Sequence, residues 1–425
     1  MDKLTAYIID FLARFPVSEL SIVHYGKIED ASDNTKIIII PAFDNLNINK
    51  LPETPFKHID NIPVLYGDSR IERQNGVIIV YADIIASSFF LLSRYEEILK
   101  PECRDTYGRF LAKDAVVFQQ GYGYRPLVDE YGLLFRKWLR EVGADVPAEK
   151  KGFSRIYLTH DVDRPFRFER FSIVIKQIIK NILRYNYCAN PIKKYYNEQY
   201  DDNYTYPKII EYDKYLQKSS PEIPVESIYF FFTTGTFFNN KYYNFFSKKV
   251  NRLITSLLES GAKIGLHISH EAGINPQNIQ YDVQCYKSKF DEKELISRHH
   301  YLRWCEPEDI MYMEQAGITD DFSLSYADSA GFRVGTCRPY QFINPKTKEL
   351  SNVIIHPLEV MECSLSHKEY MNLEYEEAFN ICKNIISQVY YNNGELNLLW
   401  HNTEFLNLNY QEKLYKSIIN YIKEQ

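Results

Sequence analysis

The chain has 425 residues, 45% hydrophobic and 25% charged, with a formal net charge of −6. That length exceeds one small core, so two domains are expected, and the acidic balance argues against a nucleic-acid-binding protein. The opening MDKLTAYIIDFLARF carries an acid at its second position and a broken apolar run, which fits neither an export signal nor a membrane span. Seven scattered cysteines without a CxxC pair suit a reduced, cytoplasmic chain and argue against a thiolate zinc site.

Residues 1–148 read as an α/β unit. KIIII at 36–40 and VIIVY at 77–81 have the Ile/Val-rich form of buried strands. The second run leads into a helical pattern from Asp83 to Glu97, and apolar residues spaced three and four apart predict another helix near 128–142. No glycine-rich phosphate loop follows either strand, so a nucleotide site has no support there. PAEKKG at 147–152 reads as a linker.

From residue 153 to 425 the pattern changes. RIYLT at 155–159, SIYFFFTT at 227–234, KIGLH at 263–267, NVIIH at 352–356 and LNLLW at 396–400 are strand candidates separated by longer polar and helical stretches. This predicts a βα-repeated parallel architecture with fewer than eight clear strands, a distorted and incomplete barrel. An insertion at about 166–226 starts with FSIVIKQIIKNILRYNY at 171–187. There Ile175, Ile178, Ile179 and Ile182 share one helical face, and Lys176, Lys180 and Arg184 another. A helix covering the barrel with a solvated outer stripe accounts for this, and so does an interfacial helix that meets anionic lipid.

Chemistry-bearing residues close the apolar runs, where a parallel barrel presents its functional side chains. THDVD places Asp161 and Asp163 on one side of an extended segment, and two close carboxylates ionise together readily only with a cation nearby. GLHISHE offers His267 at a strand end, with His270 and Glu271 three and four residues on. SAGFRVGTCRPY at 329–340 supplies Arg333 and, second, Arg338; a guanidinium fork grips a carboxylate in two places. LLWHN sets His401 near the C-terminus, and imidazole suits proton transfer at working pH. SRHHYLRW at 297–304 offers His299, His300 and Arg303 for substrate hydroxyls or phosphates, or simply an exposed helix face.

In this order, over about residues 155–405, the four motifs resemble those of the NodB-homology polysaccharide deacetylases (carbohydrate esterase family 4). RDTYGRF at 104–110 and YRPLVDEY at 124–131 resemble an N-terminal region found ahead of such enzymes. The resemblance implies a metal-dependent hydrolase that removes an N-acetyl group from an acetamido sugar, nucleotide-linked or lipid-linked, during bacterial surface-polysaccharide synthesis. It implies Asp161 as general base, Arg333 holding that base, and His401 as general acid. It implies Asp163 and His267 as ligands of a divalent metal, zinc first, with iron, manganese or cobalt also compatible. The family's second histidine is replaced here by Glu271 at i+4, so the third ligand is left between His270 and Glu271. The family often places an acid near Glu362 to tune the histidine. A non-sugar amidohydrolase on the same barrel and a silent glycan-binding homologue are the alternative expectations.

Overall fold

The structure is a computed structural model that describes residues 1–183, 188–234, 236–237, 240–241, 243–291, 293–304, 307–406 and 410–425. It is a mixed α/β protein with two principal sheets. The first has strands β1 (Val23–Tyr25), β2 (Ile37–Ile39), β3 (Gly67–Gln74) and β4 (Val77–Ala82) in the order β1–β2–β4–β3. KIIII and VIIVY thus become neighbouring parallel strands in the middle of the sheet. The helix expected from Asp83 to Glu97 is divided. Asp83 caps Ile84–Leu92 by accepting from the Ala86 N–H, and Arg94, at φ 55°, breaks the run before Tyr95–Leu99. The helix Leu127–Glu141 turns Leu127, Tyr131, Leu134, Phe135 and Trp138 inward at the expected spacing.

The second sheet holds β5 (Arg155–Val162), β6 (Val225–Phe231), β7 (Lys263–Ile268), β8 (Ile296–His299), β9 (Asp320–Asp321), β10 (Tyr340–Ile343), β11 (Leu350–Ile355), β12 (Val360–Met361) and β13 (Glu395–Leu399). Their order is β10–β11–β9–β8–β7–β6–β5–β13–β12. Every pairing is parallel except β10 with β11. The sheet curls into an incomplete barrel, and Tyr157, Ile228, Phe230, Ile296 and Phe322 pack together as a small cluster of their own. Helices cover it with apolar stripes. Lys248–Glu259 buries Val250, Leu253, Ile254 and Leu257, each worth about 1.5–3 kcal/mol when fully removed from water. Tyr375–Tyr391 buries Ala378, Cys382, Ile385, Ile386 and Val389, and starts from a capping box between Glu374 and Glu377.

A loop over 329–339, between β9 and β10 of the second sheet, packs against the N-terminal region. The segment at Gly123 and the helices Ile84–Leu92 and Leu127–Glu141 press against this loop so closely that two glycines are required. A Cβ on Gly331 would stand 2.6 Å from the Gly123 carbonyl oxygen, and one on Gly335, at φ +69°, 2.8 Å from Leu91. Asp129 accepts from Thr336 Oγ1, the Cys337 N–H and Arg338 Nε, at 2.6–3.0 Å. One hydrophobic core runs through both regions, from Leu4 to Ile422.

Between β5 and β6 lie helices Phe171–Ile182, Pro191–Tyr196 and Tyr206–Ser219. The last four residues of the helix expected over 171–187 lie outside the described residues.

Candidate active site

Parallel strands place their C-terminal ends on one rim, and the curl of the sheet draws distant strands together there. On β5 the side chains alternate. His160 turns outward to Asp213 (3.2 Å) and the Trp400 carbonyl (2.9 Å), while Asp161 and, just past the strand, Asp163 face the rim. His267, near the end of β7, comes from two strands away in the sheet order. Its Nε2 lies 3.3 Å from Asp163 Oδ1 and 3.5 Å from Asp161 Oδ2. His300 follows β8 directly, with Nε2 3.4 Å from Asp163 Oδ2. Asp163, His267 and His300 each offer a ligand atom, and these atoms lie within 4.8 Å of one another.

Nδ1 of His267 is 2.8 Å from the Arg298 carbonyl oxygen, which can only accept, so Nδ1 carries a proton. In the neutral form of the ring, Nε2 is then a lone pair aimed at carboxylate oxygens. Both Nε2 of His267 and Oδ1 of Asp163 are buried with no hydrogen-bond partner. Two acceptors facing each other in a buried place repel unless a cation lies between them, and a carbonyl-braced imidazole with a carboxylate is an ordinary metal-binding pair. Burial pushes the His300 pKa down, toward the neutral form a ligand needs. The donor set therefore fits a metal cation.

Asp161 is held from behind by Arg298, on β8. The Arg298 Nη1 donates to Asp161 Oδ1 at 3.0 Å and to Thr159 Oγ1 at 2.8 Å, and Nε donates to the Phe322 carbonyl at 3.0 Å. This guanidinium is fully buried, 4.5 Å above the Phe230 ring.

On the other side of the rim, His401 follows β13. Its Nε2 lies 3.9 Å from Asp163 Oδ2, and its Nδ1 lies 2.5 Å from Glu362 Oε1. Burial disfavours the imidazolium, but the Glu362 carboxylate outweighs it and raises the His401 pKa well above that of a free histidine. A cavity of about 330 Å³ opens over these groups. Asp161, Asp163, His300 and His401 form one side of it, and Tyr107 and Arg109, from the N-terminal third, contribute to its wall. Tyr107 stacks on Tyr301 at 4.9 Å, and Arg109 donates to the Tyr301 carbonyl and the Tyr370 hydroxyl.

Residues 7–144 match a family of unknown function, DUF7033. No curated protein matches the chain. Among solved structures, one described as a "putative polysaccharide deacetylase from Mycobacterium smegmatis" aligns at 12% identity and a TM-score of 0.38, over 65% of this chain and 86% of that one. No described helix is long and apolar enough to cross a membrane.

Asp161, Asp163, His267 and His401, expected from three separate motifs, come together. Three other expectations are corrected. Arg333 does not hold Asp161. It donates to Glu97 at 2.7 Å and to the Ser325 carbonyl at 2.7 Å, and so ties the loop to the N-terminal region. Its expected place is taken by Arg298. His270 and Glu271 lie outside the ligand group, because Ser269 caps a short helix, His270–Ile274, that carries them beyond the strand end. The His270 ring sits 6.4 Å from that of His300, edge to face. The residue that joins Asp163 and His267 in the group is His300. The segment SRHHYLRW, read as a possible exposed helix face, is instead a buried strand and the turn after it. One signal pointed there: two adjacent histidines after Leu295 and Ile296 send one ring inward and one to the rim.

Proposed function

We propose that the chain is a metal-dependent N-deacetylase acting on an acetamido sugar, with a barrel of the polysaccharide deacetylase type. The observation that carries this reading is the His267 lone pair facing the Asp163 carboxylate beside His300, with an acid–base pair on either flank. Asp163, His267 and His300 would hold the cation. When bound, such an ion polarises an amide carbonyl and makes a nearby water more acidic.

The chain's own residues supply the rest. Asp161, fixed by Arg298, accepts the proton of the attacking water at the oxygen facing the rim. Arg298 neutralises the other carboxylate oxygen and keeps the base in one orientation. His401 donates from Nε2 to the departing nitrogen, while Glu362 holds its Nδ1 proton and orients the ring. The products are acetate and a free amino sugar. Tyr107 and Tyr301 offer ring faces of the kind that pack on pyranose C–H groups.

The test is acetate release from a panel of nucleotide-linked and lipid-linked acetamido sugars, with protein stripped by chelator and then reloaded with zinc, iron, manganese or cobalt. Metal-dependent acetate release supports the reading. Stoichiometric metal without acetate release from any sugar would move the assignment to a non-sugar amide, and no metal uptake would end it.

A further inference from the structure

The helix Phe171–Ile182 carries more apolar surface than the fold uses. Its inner side, Val174 with the partly covered Ile173 and Ile178, packs on Phe168, Cys188 and Tyr195 and fixes the helix to the molecule. A second stripe points outward. Phe171, Ile175, Ile179 and Ile182 recur at i, i+4, i+8 and i+11, which is one line along a helix. Ile175, Ile179 and Ile182 are 47%, 51% and 74% exposed. Single exposed apolar residues are ordinary, but a continuous line of them on one helix marks an interaction surface.

Charge indicates what meets it. From Arg170 to Asn197 the sequence holds six Lys or Arg and no Asp or Glu, in a chain whose net charge is −6. Lys194 is engaged by Asp202. Lys176 and Lys180 are exposed and flank the apolar stripe, and neither has a carboxylate partner among the described residues. A basic row beside an exposed aliphatic row matches a surface of anionic headgroups over acyl chains.

We propose that this helix seats the protein on the surface of an anionic lipid bilayer, with the isoleucine line at the acyl boundary and Lys176 and Lys180 among the headgroups. The contact is peripheral. The proposal is independent of the hydrolase reading, because binding is measured without turnover.

The test is sedimentation of the full chain with vesicles of phosphatidylcholine alone and of phosphatidylcholine mixed with phosphatidylglycerol. The expected partition onto the anionic vesicles is at least about 10-fold higher and falls as salt is raised. The double variant Ile175→Asp, Ile179→Asp should remain in the supernatant with an unchanged unfolding midpoint. The double variant Lys176→Glu, Lys180→Glu should lose the preference for anionic lipid. Wild-type protein that ignores anionic vesicles overturns the proposal, as does binding that survives the isoleucine changes. A concentration-dependent dimer abolished by Ile175→Asp, without vesicle binding, would assign the stripe to a second copy of the chain and also overturn it.

Discussion

Arg298 Nη1 lies 3.0 Å from Asp161 Oδ1, with both side chains buried, and this pair fixes the carboxylate expected to act as base. Asp161→Asn should abolish turnover while the unfolding midpoint stays within a few degrees. Arg298→Met should be costly to the fold as well, by about 3–5 kcal/mol, because it leaves a buried carboxylate unpaired. Denaturant titration of the two variants separates the roles. A stable, fully active Arg298→Met protein would refute the pairing.

The ligand assignment predicts a contrast between neighbouring residues. His267→Ala and His300→Ala should each reduce metal affinity by more than the roughly 10–100-fold typical of an outer-shell partner. His270→Ala and Glu271→Gln should leave one ion per chain. Metal analysis after equilibrium dialysis reads this directly, and retention of metal by His300→Ala would return the third position to the 270–271 pair.

His401 and Glu362 should behave as a unit. His401→Ala is expected to reduce kcat by about 10²–10⁴-fold, the usual contribution of a positioned proton donor, with little change in KM. Glu362→Gln should give a smaller fall of the same kind. Combined with His401→Ala it should add almost nothing, and additive losses would show that Glu362 acts elsewhere.

His356 gives a stability prediction away from the rim. Its Nδ1 is 2.6 Å from Glu395 and its Nε2 3.0 Å from Asp320. Burial opposes its charge, but these two acids push its pKa up to about 9. Against about 6.5 in the unfolded chain, the linked stabilisation is on the order of 3 kcal/mol. It is fully present below pH 6.5 and is lost as pH rises through about 9. His356→Gln should flatten that part of the stability curve, as followed by urea unfolding at several pH values.

Glu97 lies between Arg333 and Arg94, and all three are buried. Burial works against its charge, but Arg333 and Arg94 outweigh it and hold its carboxyl below the ordinary range. Glu97→Ala should therefore destabilise the protein by about 3–5 kcal/mol, because it removes the buried carboxylate to which Arg333 donates. Near-wild-type stability of that variant would show that the Arg333–Glu97 pair does not hold the loop.

The parallel strands and the covering helices were legible in the sequence because burial on both faces demands Ile-, Val-, Leu- and Phe-rich runs, as at 37–39, 77–80 and 353–355. Asp161, Asp163, His267 and His401 were legible because each closes such a run. β8 was not, because it is only four residues long and reads Ile-Ser-Arg-His. Arg298 donates to Asp161 and the Phe322 carbonyl and the His299 N–H to Ser323 Oγ, and no local pattern announces partners so distant in sequence. For the same reason Arg333 was given to the wrong carboxylate. The sequence by itself determined which residues could carry charge at strand ends. Only the tertiary structure decided which carboxylate each arginine meets and which histidine joins Asp163 and His267, because the curl of the sheet sets those distances and the cost of leaving a buried charge unpaired selects among them.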